Sequence, residues 1–371
     1  MSSVHVVGAG PAGSFAALSA LKAGHDVYLS EEHERIGQPV HCSGLVSASG
    51  LKQMDDVVPC KKVIRNPIYR ANLHGANSCF SLSYAQPKAY VIERGKFDFL
   101  AARKFIDAGG KVLSGHGVRR LEDLKSRNVI GADGPISTIS RLFDFPRIRA
   151  YTSCWQGDFS YRCIDTGAVE VFFDPRLCPG FIGWIIPTSE ETAEIGLGVA
   201  SAKGLHAARN QFLSKIGLKD KKPESEFSAL IPLTVRQKTG KITNGYNVVL
   251  AGDAAGQVKA SSGGGIFFGS SCGRLAGQLF EHPDEYEKAW RQKYGLDLAL
   301  HGLLRRGINS LPSFGVDLWL ASMKALRFER LLAESGEMDE YSKMLSLRSL
   351  GAWAGAWAGN PRKKSESRKK D

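Results

Sequence analysis

The chain has 371 residues, 43% of them hydrophobic and 41 of them glycine, enough for two sizeable layered units of an α/β protein. Lys and Arg (49) outnumber Asp and Glu (37), a net charge of +12 that suits an acidic partner. No helix-turn-helix, zinc spacing or RNP-like stretch accompanies that charge, which argues against nucleic acid and leaves an anionic lipid surface or a substrate phosphate.

The N-terminal 31 residues spell strand, glycine turn, helix, strand. Val4-His5-Val6-Val7 runs into Gly8-Ala9-Gly10-Pro11-Ala12-Gly13. An apolar helix follows (Phe15, Ala16, Leu18, Leu21), and Val27-Tyr28-Leu29 ends at Glu31. Gly8 permits the sharp turn, Gly10 lets the backbone approach a pyrophosphate, and Gly13 lets helix pack closely on strand. The helix N-terminus offers free N–H groups and a positive dipole end to phosphates. Glu31, eighteen residues beyond Gly13, is placed to accept a hydrogen bond from a ribose 2′-OH. These residues predict a bound dinucleotide without deciding between a flavin and a nicotinamide.

Two later turns repeat the theme. Val129-Ile130-Gly131-Ala132-Asp133-Gly134 closes a strand, with Ser137 and Arg141 behind it. Asn247 to Gly256 reads as a buried strand ending in a Gly252-Asp253 turn, and Ser262-Gly263-Gly264-Gly265-Ile266 then opens a small-residue helix. An Asp at a strand end suits a ribityl or ribose hydroxyl, and a glycine-rich helix start presents N–H groups to phosphate or to carbonyl oxygens. Between these anchors, Val169–Phe173 and Ala193–Val199 read as strands and Lys203–Leu218 as a helix. From His282 the pattern is helical, with Leu318, Trp319, Met323, Leu326 and Leu331 forming one apolar face for core packing. Ala352 to Trp357 sets two Trp four apart, a spacing that suits interfacial anchoring. Residues 360–371 carry six Lys or Arg against two acids and read as a disordered tail able to attract anionic headgroups at ~1 kcal/mol per charge.

Taken in this order, the motifs resemble flavoprotein oxidoreductases of the para-hydroxybenzoate hydroxylase type, and within them the geranylgeranyl reductase family, which saturates isoprenoid chains of archaeal membrane lipids and of chlorophyll. The resemblance spans about residues 1–290. It rests on the first glycine fingerprint with Glu31, on Ile36-Gly37-Gln38-Pro39-Val40-His41-Cys42-Ser43-Gly44, on Arg94-x-x-Phe97-Asp98, and on the two later Gly-Asp turns.

The resemblance implies FAD as cofactor. Gly8, Gly10, Ala12, Gly13 and Glu31 would contact its ADP half, and the backbone at Val118 its adenine. Arg94 would meet a phosphate or the flavin side, and Asp253, Gly265 and Ile266 the ribityl and isoalloxazine end. Cys42, Ser43 and Gly44 would lie against the ring, with His41 at the surface or behind them. Cys42 has no CxxC partner, which argues against a metal, whereas its thiol is a candidate proton donor for C=C reduction. A family stretch thought to line the lipid tunnel is matched in spacing by Pro179 to Pro187. Ile182 and Ile186 replace its Tyr and Phe there, so that Ile182, Trp184 and Ile186 would line an apolar substrate wall.

The expected fold is α/β (α+β overall): a discontinuous Rossmann-like FAD-binding domain (1–56, 93–145 and 245–285), an antiparallel-sheet substrate domain (57–92 and 146–244), C-terminal helices (286–358) and a basic tail (359–371). The expected partners are a polyprenyl lipid and an electron donor: NADPH, reduced ferredoxin or another low-potential carrier. Seven cysteines without framework spacing suggest free thiols in a reducing compartment. With no charged leader, and no uncharged run near the ~18 residues that span a bilayer, a cytoplasmic protein touching the inner face of a membrane only peripherally is expected. A flavin monooxygenase or halogenase, or an electron carrier to quinone, are the other activities this scaffold supports. The carrier would want the clustered cysteines of an iron–sulfur module, which the chain does not have.

Overall fold

A computed structural model describes residues 2–329 and 338–345. Leu331, the paired Trp353 and Trp357, and the basic tail lie outside the described residues. Two sheets organise the rest, joined by a small third one.

The six-stranded sheet runs Gly240–Thr243, Tyr246–Leu250, Asn128–Gly131, Ser3–Val7, Asp26–Glu31, Lys111–Ser114. All neighbours are parallel except the first pair, a hairpin at the edge. Its central strands are continuous apolar runs because both faces are covered. Val4, Val6, Leu29, Ile130 and Val249 pack on the helix side, while Val129, Val248 and Leu250 face a second cluster with Ile139 and Phe143. Sequence reading gives Gly240–Thr243 to the other sheet, so the last segment of this one begins at 240 rather than 245. The signal is Asn244-Gly245, both at positive φ (49° and 74°), the conformation of a two-residue hairpin turn.

Two helices on one face pack backbone to backbone. Pro11–Lys22 begins with proline in its first turn, where no amide donor is needed. Ile266–Leu279 lies across it, and a Cβ at Gly273 would collide with the Ala12 carbonyl oxygen, one at Gly277 with that of Ala16. Backbone therefore meets backbone. Arg94–Asp107 packs beside them, with Phe97 stacked on Phe15 at 6.2 Å.

The seven-stranded sheet runs Ser225–Pro232, Tyr151–Ser160, Thr192–Val199, Gly183–Pro187, Ala168–Phe172, Arg70–His74, Cys79–Ser83. It is antiparallel save for Ala168–Phe172 beside Arg70–His74, which are parallel, a correction to the all-antiparallel expectation. Parallel neighbours need a long crossover, and here residues 75–167 supply it. Ala89–Ile92 lies outside this sheet, at the centre of the three-stranded one, between Leu45–Ser47 and Ile64–Ile68.

The C-terminal helices are Pro283–Trp290, Leu296–Asn309 and Ser313–Ala325, with a π-helical turn joining the first two. The predicted apolar face of the last is rotated. Val316 and Leu320 are buried on Phe80, with Trp319 and Met323 beside them, whereas Leu318 and Leu326 face outward. Asp317 sets that rotation, accepting hydrogen bonds from the Asn77 and Ser78 amides (3.0 and 3.1 Å) and the Ser78 hydroxyl (2.6 Å). No helix among the described residues is long and apolar enough to cross a membrane.

Replacing Gly273 with Val should lower stability by about 1–3 kcal/mol in urea unfolding, because the added methyls must push the two helices apart. A second test concerns Glu194, buried in Thr192–Val199. Burial, with Asp158 adding to it, pushes its carboxyl up to about 8; Arg65, half exposed at 3.7 Å, is too weak a partner to prevent that. Between 4.5 and about 8 the unfolded carboxyl has lost its proton while the folded one keeps it. Stability should therefore fall as pH rises through that window, and Glu194→Gln should flatten the slope.

Candidate active site

One cavity of about 1380 Å³ connects the two sheets, larger than a site for a single small ligand. Its polar end gathers the C-terminal ends of the parallel strands, where open α/β sheets bind ligands: Gly8 after the first strand, Glu31 at the end of the second, Asp133 after Asn128–Gly131, and Asp253 after Tyr246–Leu250.

Gly8 has φ +97°, and a Cβ there would strike the Ala132 carbonyl, so the turn accepts no side chain. Nothing lies within 4 Å of a Cβ placed on Gly10, which leaves its backbone bare to the cavity. Ala12 is on the wall. Gly13 is beneath it, pressed on the Gly8 carbonyl. Glu31 folds back over the loop: Oε2 accepts from Ala9 N (2.9 Å), while Oε1 accepts from His33 N (3.1 Å) and meets His33 Nδ1 (2.7 Å), which leaves Oε2 a lone pair for a hydroxyl. Val118 is on the same wall.

Asp253 is the telling group here. Burial pushes its carboxyl up against the pull of Arg94, and no protein donor among the described residues bonds to it. It stands where the helix Ile266–Leu279 begins, its Oδ1 3.1 Å from the position of a Gly265 Cβ, with Gly265 and Ile266 also on the wall. A half-buried acceptor without a protein partner, a bare glycine loop and two helix N-termini fit a hydroxylated chain carrying a pyrophosphate, as FAD does.

Arg94 binds Asp98 through both ends of its fork (2.9 and 3.0 Å) and touches the Cys42 sulfur. Burial works against its charge, but Asp98 and the sulfur outweigh that and hold the guanidinium firmly protonated. Cys42 and Ser43 are on the wall; Gly44 is not, its Cα wedged under the Ile92 carbonyl while its N–H donates to Cys42 Sγ at 3.4 Å. His41 also reaches the cavity, tilted on the Phe227 ring.

The other end is apolar. Ile182, Trp184 and Ile186 line it with Val169, Val171 and Leu73, and the C-terminal helices add Leu300, Leu304, Trp319 and Met323. Alternation along Gly183–Pro187 turns Trp184 and Ile186 to one face. The Trp184 indole is fixed by its N–H donating to Gln156 Oε1 at 3.0 Å, so one polar pair anchors an otherwise greasy wall.

Sequence reading missed a buried polar cluster on this cavity. Lys259 Nζ pairs with Asp339 Oδ1 at 2.6 Å, and the Ser47 hydroxyl donates to Asp339 Oδ2. Beside it, Ser261 Oγ is 2.6 Å from His301 Nδ1, and the Tyr341 phenol hydrogen-bonds to Ser261 while its ring lies on His301 (centroids 4.1 Å apart). Lysine among Val258, Ala260 and the small residues that follow was a readable signal. Asp339 and Tyr341, eighty residues on, offered none. Ser137 and Arg141 have local tasks instead: Ser137 caps the helix Thr138–Leu142, and Arg141 bonds Thr138 at the surface.

No family model matches the chain. Over 332 residues, 79% of it, the chain is 31% identical to digeranylgeranylglycerophospholipid reductase 2 of Methanopyrus kandleri, covering 83% of that protein. A geranylgeranyl bacteriochlorophyll reductase-like protein of Thermoplasma acidophilum shares the fold with a TM-score of 0.76 at 20% identity, over 96% of each chain. The flavin-dependent halogenase CmlS shares it at 0.63 and 18% identity, over 96% of this chain and 77% of the halogenase.

Lys259→Met should cost about 3–5 kcal/mol in urea unfolding, because Asp339 is left charged and buried without its partner. Adding Asp339→Leu to that variant should recover most of the loss.

Proposed function

We propose, for a chain that belongs to the digeranylgeranylglycerophospholipid reductase family, that it is an FAD-dependent oxidoreductase saturating C=C bonds in the geranylgeranyl chains of archaeal-type membrane glycerophospholipids. The observation that carries this reading is the single cavity in which a glycine-lined, dinucleotide-shaped end opens directly onto an apolar one. Its volume and lining suit a cofactor and a long hydrocarbon chain together.

In this reading Gly8, Gly10 and the N-terminus of Pro11–Lys22 hold the pyrophosphate, Glu31 a ribose hydroxyl, and the backbone near Val118 the adenine. Asp253 accepts from the ribityl chain, and the amides at Gly265 and Ile266 face the ring's polar edge. Arg94, Cys42 and Ser43 would flank the ring, with Gly44 behind them. FAD supplies the hydride for the alkene; the protein places the chain, excludes water and provides the proton. Ile182, Trp184 and Ile186 hold the isoprenoid by dispersion and shape alone, which tolerates a flexible tail. The external reductant is NADPH, ferredoxin or another low-potential carrier. The +12 charge suits peripheral docking on an anionic membrane face. The shared halogenase fold supports oxygen-activating chemistry as a second reading.

Purified protein should be yellow and carry FAD. Co-expression with polyprenyl-lipid biosynthesis should add the mass of two hydrogens per saturated bond to the lipids, read by mass spectrometry. Unshifted lipids from an FAD-loaded protein that instead consumes oxygen would favour the second reading. Ile186→Trp should cut turnover by roughly 10–100-fold, from about 1–3 kcal/mol of overpacking, with FAD content unchanged.

A further inference from the structure

Saturating an isolated C=C bond requires a proton as well as a hydride, and the donor must be refilled each turnover. Cys42 is poorly connected for that task. Its sulfur is met by the Gly44 amide and the Arg94 guanidinium, and an amide and a guanidinium that never deprotonates cannot pass protons on.

Across the cavity stands a different arrangement. Tyr341 and Ser261 both line the wall. The phenol hydrogen-bonds to the Ser261 hydroxyl, and that hydroxyl is 2.6 Å from His301 Nδ1. His301 is almost wholly buried, and burial, with Lys259 adding to it, brings its pKa down to about 3, so the imidazole is neutral. Its Nε2 is enclosed, away from solvent and from the cavity wall. With the Nδ1 hydrogen on Ser261, the neutral imidazole leaves the Ser261 hydroxyl free to donate to the phenol oxygen. Burial raises the Tyr341 phenol, which keeps its proton at ordinary pH. The segment is held on both sides of Tyr341, by Asp339 on Lys259 and Ser47, and by the Ser342 amide donating to Asp297 at 2.7 Å.

Resting on the function proposed above, we propose that Tyr341 is the acid that protonates the second alkene carbon, and that Ser261, oriented by His301, is the positioning residue that holds the phenol and steadies its phenolate. The balance is simple. A hydride pair from reduced FAD makes one C–H bond, and the alkene π pair takes the phenol proton to make the other. The phenolate, held meanwhile by the Ser261 hydroxyl, regains a proton from solvent that enters the cavity as product leaves.

The test uses the FAD-loaded full chain, reduced in advance and mixed anaerobically with digeranylgeranylglycerophospholipid in detergent micelles. Flavin reoxidation is followed by absorbance, in light and heavy water. Tyr341→Phe keeps the ring on His301 and should slow single turnover by about 100-fold or more, with FAD content and the substrate concentration at half-saturation unchanged. Ser261→Ala, outside the C-terminal segment, should slow it by roughly tenfold and alter the solvent isotope effect. A Tyr341→Phe rate within threefold of wild type, or a loss that tracks released FAD or weakened substrate binding, would overturn the proposal. A wild-type protein that binds FAD but reduces no lipid would instead overturn the function on which it rests.

Discussion

Everything at the polar end of the cavity depends on how closely two helices cross. Pro11–Lys22 carries the first glycine loop and Ile266–Leu279 carries the second, yet they lie more than 240 residues apart in the chain. Gly273 and Gly277 let the second helix rest on the carbonyls of Ala12 and Ala16 with no side chain between. Ala12 is the hub: its methyl group also fills the space that a Cβ on Gly252 would need. Two helix N-termini thus converge on one hollow, and their positive ends add there. Small residues bring little hydrophobic area to such a contact, so the large rings around it (Phe15, Phe97, Phe268, Tyr286, Trp290) provide the burial that the glycines cannot.

The cavity joins two solvents. At one end are backbone amides and acids awaiting partners; at the other are isoleucine, valine, leucine and one tethered tryptophan. The buried Lys259–Asp339 pair stands on the same cavity, held away from water by charge matching and by Ser47. Such a pair adds little net stability, but it tolerates only one arrangement of its two segments. That fixity is what Tyr341, two residues further along, inherits.

Much of this was legible because the nucleotide half is encoded locally. Gly8, Gly10 and Gly13 act within a few residues of one another, and Glu31 and Asp253 each close a strand visible as an apolar run. The family resemblance follows from those same runs, and the chain's 31% identity to a Methanopyrus reductase agrees with it. What escaped was non-local or rotational. The turn at Asn244-Gly245 assigns a strand to the other sheet, and only pairing shows which one. The outward aim of Leu318 is decided by Asp317 gripping a hairpin 240 residues earlier, a contact that helical spacing cannot reveal. Lys259, Ser261, His301, Asp339 and Tyr341 come from three separate stretches, and of these only the lysine stands out in its own surroundings.

The position of Asp339 also bears on how the molecule is assembled. A growing chain can complete both sheets and both glycine loops while Lys259 still lacks its counter-charge, since residues 338–345 are synthesised last of all the described parts. Until then the ammonium group must stay hydrated, because a buried charge without its partner costs several kcal/mol. Docking of this late segment brings Asp339 to the ammonium and Tyr341 to the wall, so eight residues complete a cavity whose other parts are already in place.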